Sequence, residues 1–430
     1  MKNKKNEWHL FSLGDEYYLY NCPCKQAVQL DEDQFTLLKQ GDSATWEAIE
    51  SVFSNFPVTE EQPLKRNFYD LFLLVSNDCN AQCVYCFADQ GCYGKEANLM
   101  NSSTARRAID FFMENVPYNA PANITFFGGE PLLAKNTIKD SIEHVKEKYA
   151  SRKLTLSITT NGFLLDSATV DYFVANNVNI SLSIDGGRVL QQLQRPMKNG
   201  GDSFYEVTRM LDDLKKSRLP VIARGTYYDY NVDLAKIYNE LLLLHFKEVQ
   251  IVPDFLHIVD AEEIHKLESQ VESLYNYCVY YMKNIMRTYA EFPFVPIVQQ
   301  MRMLFFAPYA YTYSCERGKT LMAIDCAGDV FACHRLSSYK DSVVANVFED
   351  DVYTWRNEEN ESVKKTAEKC MHCWNRYTCS HGCAYNSDTL TQKAFCAYSK
   401  KMTEVAIAVT SKLSPNELAD VIRFYGFSNK

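Results

Sequence analysis

Long hydrophobic runs are missing from this chain of 430 residues, because no stretch of 18 consecutive apolar residues occurs in it. The sequence therefore predicts no membrane-spanning helix. The first residues, MKNKKNEWHLF, are basic but lack an apolar core. This argues against a secretory signal and predicts a cytoplasmic protein.

Blocks of basic residues are missing too. The formal net charge is −9, and no cluster of lysine and arginine follows the pattern needed to track a phosphate backbone. We therefore predict no nucleic-acid partner. No internal repeat or low-complexity segment occurs either. The length exceeds what one ordinary hydrophobic core supports, so two or three domains are expected.

Cysteine, in contrast, is abundant, with 15 residues. In a chain without a secretory signal, clustered cysteines indicate metal binding rather than disulfides. Three lie between residues 79 and 86, and eight lie between 315 and 396. The other four are scattered. Metal chemistry is therefore expected in two separate parts of the chain.

Residues 1–65 have the pattern of a small independent unit. The segments EYYLYN and AVQLD are strand-like. DEDQFTLLKQG predicts a helix that begins with acidic residues and ends at Gly41, and ATWEAIESVFSNF predicts a second, amphipathic helix with Val52 and Phe53 on its apolar face.

Residues 66–256 alternate six strand-like segments with helical ones. This order predicts an α/β fold with parallel strands, and six units rather than eight favour an open, partial (β/α)6 TIM barrel. Residues 257–309 predict a helical bridge, 310–400 a cysteine-rich module that contains a β-hairpin, and 401–430 a helical tail.

Polar residues and glycines follow the predicted strands of the barrel. They are Asn77 and Asp78, Gly128 to Glu130, Asn161 and Gly162, and Ser183 to Gly186. Because the carboxyl ends of parallel strands carry the functional site in such folds, we expect these residues to surround it.

The segment DCNAQCVYCF places Cys79, Cys83 and Cys86 directly after the first barrel strand. Three thiolates on one loop can hold a four-iron cluster and leave one iron without a protein ligand. A structural zinc site would need a fourth ligand, for which Cys92 is the nearest candidate. We favour the cluster.

This spacing, with the aromatic Tyr85 before the last cysteine, resembles the signature of the radical S-adenosylmethionine (SAM) superfamily. The sequence GGEP at 128–131 resembles that family's motif for the amino group of SAM, and LSIDG resembles its fourth-strand motif. The resemblance implies a SAM site formed by the following residues: Tyr85, Gly128, Gly129, Glu130, Pro131, Asn161, Ser183 and Arg195. Of these, Glu130 is expected to accept from the ammonium group and Arg195 to hold the carboxylate.

The resemblance also implies a reaction. The reduced cluster passes one electron to SAM, and the resulting 5′-deoxyadenosyl radical removes an unreactive hydrogen from the substrate. An electron donor such as flavodoxin or ferredoxin is then an expected partner.

The second cysteine group resembles the SPASM domain, which holds two auxiliary four-iron clusters in peptide-modifying radical SAM enzymes. Carried over, one auxiliary cluster has three cysteine ligands, Cys315, Cys333 and Cys383. The other has four, Cys370, Cys373, Cys379 and Cys396. The chain is thus expected to hold three [4Fe-4S] clusters and SAM.

Two residues depart from that pattern. Leu321 stands where some members have a further cysteine, so the first auxiliary cluster has either an open iron, which we favour, or Cys326 as its fourth ligand. His334 stands where anaerobic sulfatase maturases have a catalytic aspartate. Both departures argue against the maturase reaction.

The stretches around the first cysteines and RGTYY at 224–228 resemble maturases of ribosomally made peptides, especially those that form thioether cross-links. The substrate implied is a precursor peptide with a leader, and residues 1–65 resemble the winged-helix units that bind such leaders. A carbon–carbon link, an epimerase or sulfatase-maturase reaction, and a non-catalytic zinc-stabilised peptide-binding module remain alternatives.

Overall fold

The fold is described from a computed structural model of the chain. It describes residues 7–62, 69–217, 219–288, 292–305, 309–311, 318, 320–349, 368–383 and 389–424. The predicted ligand Cys315 lies outside these ranges.

The chain begins with a three-stranded antiparallel sheet, followed by two helices. The strands are β1 (Trp8–Leu13), β2 (Glu16–Asn21) and β3 (Gln26–Leu30), in that order, and the helices are α1 (Glu32–Gln40) and α2 (Ser43–Phe53). Asp31 and Gln34 form a capping box that starts α1, and Gly41 ends it with a φ of 84°. The sequence identified β2, β3 and both helices, but not β1.

The two faces of this small sheet pack against different partners. Leu19 and Leu30 pack against Leu38 of α1, and these three side chains form a small local core. On the other face, Tyr18 belongs to the main hydrophobic core of the chain. The unit is therefore packed onto the rest of the protein and is less independent than its sequence indicated. Val52, predicted to be on the apolar face of α2, is 62% exposed.

The main sheet begins after β4 (Glu60–Gln62). Among the described residues its first six strands are parallel and lie in sequential order, each followed by at least one helix. In the last four of these strands, buried residues largely alternate with half-buried ones, so one face of the sheet is more deeply buried than the other. In chain order the elements are β5 (Asp70–Ser76), α3 (Ser102–Asn115), β6 (Ala122–Gly128), α4 (Lys135–Lys148), β7 (Leu154–Thr160), α5 (Ser167–Ala175), β8 (Val178–Ser183), α6 (Arg188–Gln194), α7 (Ser203–Thr208), α8 (Leu211–Lys216), β9 (Val221–Tyr227), α9 (Leu234–Leu243) and β10 (Glu248–Pro253).

The C-terminal part extends this sheet. After α10 (Ala261–Asn284), α11 (Val295–Phe305) and β11 (Tyr309–Tyr311), the strands β12 (Leu321–Ile324), β13 (Asp329–Phe331) and β14 (Val343–Asn346) follow. β12 pairs in parallel with β5 and antiparallel with β13, which gives the order β10-β9-β8-β7-β6-β5-β12-β13-β14. The predicted hairpin is present, and it joins the cysteine-rich region to the first strand of the main sheet.

Three further helices complete the described chain: α12 (Glu368–Met371), α13 (Thr389–Thr410) and α14 (Pro415–Phe424). α13 crosses the boundary predicted between 400 and 401, so the cysteine-rich region and the tail share one helix. It packs on α10 and α11. Within the described ranges, no helix combines the length and the hydropathy that crossing a bilayer requires.

Candidate functional site

A cavity of about 350 Å³ lies at the carboxyl ends of the parallel strands. Residues that follow β5 to β10 line it, and His334, Arg335, Cys383 and Phe395 of the C-terminal region close one side. The cavity therefore forms where the sequence placed the polar residues, and both cysteine-rich parts of the chain reach it.

Cys79, Cys83 and Cys86 all line this cavity. The Ala81 amide donates to the Cys79 sulfur at 3.4 Å, and the Asn161 side chain approaches the same sulfur at 3.7 Å. Burial raises the pKa of Cys79 to about 12 and that of Cys83 to about 11. Thiols in such surroundings become thiolates only beside a strong positive partner, which a metal cluster supplies.

Glycines allow the backbone to close around the cysteine loop. A Cβ atom on Gly129 would lie 2.2 Å from the Asp78 carbonyl oxygen, and one on Gly91 would lie 2.6 Å from the Cβ of Cys79. Only glycine fits at these two positions. In the ranges described here, no three His, Cys, Asp or Glu side chains converge on a point that a single metal ion could fill. Three cysteine side chains around one cavity are the ligand set that a [4Fe-4S] cluster with one open iron requires.

The GGEP segment is divided between the cavity and the core. Gly128 and Gly129 line the cavity, but Glu130 and Pro131 do not. Glu130 is fully buried, and its carboxylate accepts from the Leu132 amide at 2.9 Å, the Thr160 hydroxyl at 2.6 Å and the Asn161 amide at 2.8 Å. In the structure Glu130 connects the segments that follow β6 and β7, and its contact with the ammonium group of SAM stays a prediction. Burial raises its pKa to about 7.

The end of β8 supplies a second polar group of the site. Ser183 and Arg195 line the cavity, and Tyr85 lies beside them. Arg195 stacks on the Tyr85 ring, 5.3 Å from its centroid, and its Nε donates to Asp185 at 3.0 Å. Burial alone would lower the pKa of Arg195, but the Asp185 carboxylate raises it, so this guanidinium stays charged.

Asp185 was expected near the site as part of the range Ser183 to Gly186, but no role was assigned to it from the sequence. It is fully buried and accepts from the Tyr85 hydroxyl, from Arg195 and from the Thr226 amide. The available signal was its place two residues after Ser183 in LSIDG. Arg224, at the register position paired with Ser183, was noted only as part of RGTYY and also lines the cavity.

His334 also lines the cavity. Its ring stacks on Phe72 with centroids 4.3 Å apart and lies 5.1 Å from Phe127. Burial, together with the positive charges of Arg335 and Arg224, holds the pKa of His334 well below its usual value, so the imidazole is neutral. Its Nδ1 is 3.9 Å from the Cys333 sulfur, which places that thiol next to the cavity.

Four of the C-terminal cysteines are neighbours. Charge on Cys373 and Cys396 raises the pKa of both Cys370 and Cys379, after the larger effect of burial. The Ser399 hydroxyl and the His381 amide both approach the Cys379 sulfur at 3.3 Å. These are the four residues predicted to share one auxiliary cluster.

The other predicted auxiliary site is described only in part. Cys383 lines the main cavity and Cys333 lies beside His334, whereas the third ligand is outside the described residues. Leu321 begins β12. Cys326 is buried, and its thiol lies 3.2 Å from the Leu74 carbonyl oxygen and 3.7 Å from that of Asn98. These contacts direct its sulfur toward the end of β5.

Residues 73–241 match a family model described as the Radical SAM superfamily. The chain thus contains a radical SAM domain, as Cys79, Cys83, Cys86 and the GGEP segment predicted.

Among curated proteins, the radical SAM cyclopropyl synthase TigE of Paramaledivibacter caminithermalis is 31% identical over 186 residues, which cover 39% of each chain. A serine-type anaerobic sulfatase-maturating enzyme of Bacteroides thetaiotaomicron is 27% identical over 224 residues, covering 50% of this chain and 53% of the relative. The chain spans from 39% to 59% of the length of the first curated relatives that it matches.

Among solved structures, anSMEcpe with bound AdoMet aligns with a TM-score of 0.69 at 18% identity, covering 83% of this chain and 99% of the other. SuiB of Streptococcus suis bound to the precursor peptide SuiA aligns with a TM-score of 0.53 at 14% identity, covering 90% and 97%. At these identities the likeness concerns the fold, and it extends well beyond the radical SAM domain.

Proposed function

We propose that this protein is a radical SAM peptide maturase that removes hydrogen from a ribosomally made precursor peptide and installs an intramolecular cross-link, with a thioether favoured over a carbon–carbon bond. The observation that carries the proposal is the shared cavity. Cys79, Cys83 and Cys86 face it from the barrel, and Cys383 and His334 face it from the cysteine-rich region.

The proposed cofactors have separate places in this arrangement. Cys79, Cys83 and Cys86 hold the first [4Fe-4S] cluster, and the walls formed by Gly129, Ser183 and Arg195 hold SAM. When bound and reduced by a flavodoxin or ferredoxin, this pair supplies a 5′-deoxyadenosyl radical that takes a hydrogen atom from the peptide. Phe87, Phe127 and His334 line the same space. A wall of rings that kept water out would protect a radical from side reactions.

The C-terminal cysteines hold two auxiliary clusters in this proposal. Cys370, Cys373, Cys379 and Cys396 complete one of them, and Cys315, Cys333 and Cys383 hold the other with an open iron. Forming a thioether from a C–H bond and a thiol would remove a hydrogen atom from carbon, which the 5′-deoxyadenosyl radical would take. It would also release a proton and one electron from the thiol side, and an auxiliary cluster held by these cysteines would accept that electron.

A peptide substrate also has a place to dock. Among the described strands, β3 pairs only with β2, so its second edge presents unpaired backbone groups. An extended leader can add to such an edge by main-chain hydrogen bonds. Two of the similar solved structures contain a bound peptide, which supports a peptide partner. SuiB is bound to the precursor peptide SuiA, and anSMEcpe is bound to the Cp18Cys peptide.

A sulfatase-maturase reaction is the second candidate, because four of the curated relatives between 26% and 27% identical bear that name. The neutral, buried His334 disfavours it, since the cavity has no aspartate at that position. An epimerase reaction uses the same initial hydrogen removal. A zinc-stabilised binding module is disfavoured by the match of residues 73–241 to the radical SAM superfamily.

Metal analysis and mass spectrometry test the proposal. The anaerobically reconstituted protein is expected to hold about twelve irons per chain, and changing Cys79, Cys83 and Cys86 to Ala is expected to remove about four of them. With reductant, SAM and the short peptide encoded beside the gene, we expect 5′-deoxyadenosine and a product lighter by two hydrogens.

Each alternative has its own signature in these experiments. Unchanged mass with deuterium uptake from solvent indicates epimerisation, and turnover of a sulfatase peptide alone indicates the maturase reaction. If the protein holds zinc in place of iron, all of the proposed radical SAM reactions are contradicted.

A further inference from the structure

His9, on strand β1 of the N-terminal sheet, contacts two separate segments of the C-terminal region. Its ring stacks on Trp374, with the centroids 3.6 Å apart and the planes 5° from parallel. Its Nε2 lies 2.8 Å from Oε1 of Glu404 on α13, and the two side chains are only 19% and 11% exposed. One histidine side chain therefore joins the turn around Trp374 to helix α13.

These two segments carry the four-cysteine site, which consists of Cys370, Cys373, Cys379 and Cys396. Trp374 directly follows Cys373 in the chain, and α13 carries Cys396. The Ser399 hydroxyl of α13 also reaches the Cys379 sulfur at 3.3 Å. Because the thiols come from two segments, they can share one cubane only while the turn and the helix keep a fixed relative position.

The buried side of this junction is held by the C-terminal region itself. Asn375 is 1% exposed, and its Nδ2 donates to the Ser399 hydroxyl oxygen at 3.1 Å. Its Oδ1 accepts from the Thr403 hydroxyl at 2.9 Å. Both partners belong to α13, so this network fixes the turn to the helix from one side only.

Aromatic residues of the N-terminal sheet cover the other side. Trp374 is half-buried, and Tyr20 of β2 meets its ring at 78°, with the centroids 6.2 Å apart. Phe11 lies two residues after His9 on the same face of β1 and stacks on the His9 ring, with the centroids 5.3 Å apart. These contacts hold the His9 ring in one orientation against Trp374.

We propose that His9 is a positioning residue for the auxiliary cluster of the four-cysteine site. The inference rests on the proposed function, and it gives the N-terminal unit a role besides offering β3 to a leader peptide. Stacking on Trp374 fixes the turn that carries Cys373, and the hydrogen bond to Glu404 ties α13 to the same ring. Residues that support metal ligands from behind typically change the affinity for the metal by about 10–100-fold.

The test compares His9→Ala with His144→Ala in the full, anaerobically reconstituted chain. His144 is the matched control, because its Nε2 also lies 2.8 Å from a carboxylate oxygen, that of Asp110, and its side chain is 14% exposed. It joins helices α3 and α4, which carry no cysteine.

We expect His9→Ala to release about four irons to a ferrous chelator about ten-fold faster than the wild type. An EPR redox titration should show a shifted potential for one auxiliary cluster and an unchanged potential for the first cluster. His144→Ala should match the wild type. His9→Phe keeps a ring against Trp374, so it should restore part of the slow release.

Hydrogen exchange of the iron-free chain measures the same contact without the cluster. Residues 368–383 should exchange faster in His9→Ala than in the wild type or in His144→Ala. Wild-type iron release or wild-type exchange in His9→Ala overturns the inference, and so does an equal acceleration in His144→Ala. A chain that takes up no iron overturns the proposed function as well, whereas full iron uptake with unchanged release overturns this inference alone.

Discussion

The hydroxyl of Tyr85 donates a hydrogen bond to the buried carboxylate of Asp185, which lies 100 residues further along the chain. The other oxygen of Asp185 accepts from Arg195 Nε at 3.0 Å and from the Thr226 amide at 2.9 Å. One carboxylate thus connects the cysteine loop after β5, the end of β8 and strand β9. These contacts define Asp185 as a positioning residue for the cavity.

Replacing Asp185 with Asn is expected to weaken SAM binding at least ten-fold. The change leaves the buried Arg195 without its counter-charge, which typically costs about 3–5 kcal/mol. Equilibrium dialysis with labelled SAM and the EPR spectrum of the reduced first cluster measure the effect. Asp140→Asn, which breaks an exposed pair with Arg106, is the control and should bind SAM normally. Wild-type affinity and an unchanged spectrum in the Asp185 variant would contradict the positioning role.

Replacing Gly129 with Ala is expected to prevent assembly of the first cluster. The new Cβ would lie 2.2 Å from the Asp78 carbonyl oxygen, so the backbone next to Cys79 has to move. Gly41→Ala is the matched control, because a Cβ there meets nothing within 4 Å and costs only backbone strain. Iron content and the unfolding midpoint are measured for both. Full iron content in the Gly129 variant would show that the loop tolerates a side chain.

Glu130 is expected to make stability depend on pH. Burial raises its pKa from 4.5 to about 7 in the folded chain. Between these values the unfolded chain has lost the proton and the folded chain keeps it. The free energy of unfolding therefore falls as the pH rises through this window, by at most about 1.4 kcal/mol per pH unit.

Glu130→Gln tests this dependence, since glutamine does not titrate. The variant is expected to be less stable at every pH, because its amide nitrogen faces the Asn161 amide, which is also a donor. Its denaturation midpoint should change less than that of the wild type between pH 5 and pH 7. The exposed Glu143→Gln serves as the control. A slope equal to that of the wild type would show that Glu130 is ionised throughout.

Cys326 is expected to be dispensable for iron binding. Its thiol is directed at the carbonyl oxygens of Leu74 and Asn98, and it fills a buried position. Cys326→Ala should keep the full iron content and lose about 1 kcal/mol of stability, whereas Cys333→Ala should lose iron. Equal iron loss in both variants would instead identify Cys326 as the fourth ligand of the first auxiliary cluster.

Local sequence signals explain the part of the fold that was predictable. The alternation of strand and helix predicted the six parallel strands, and the pattern within residues 310–400 predicted a β-hairpin, which is that of β12 and β13. Both signals act over a few residues. The pairing of β12 with β5 joins segments about 250 residues apart, and no local pattern encodes it. The cavity acquires its C-terminal wall through this pairing.

The sequence by itself determined the cysteine spacing, the glycines around the first cluster loop and the order of the strands, because each depends on near neighbours in the chain. Only the tertiary structure decided that Glu130 is buried behind the cavity, that Asp185 neutralises Arg195, and that Arg224 faces the cavity without an acidic partner among the described residues. Burial and charge balance depend on residues brought together from distant strands, and that is why they emerged only once the chain was folded.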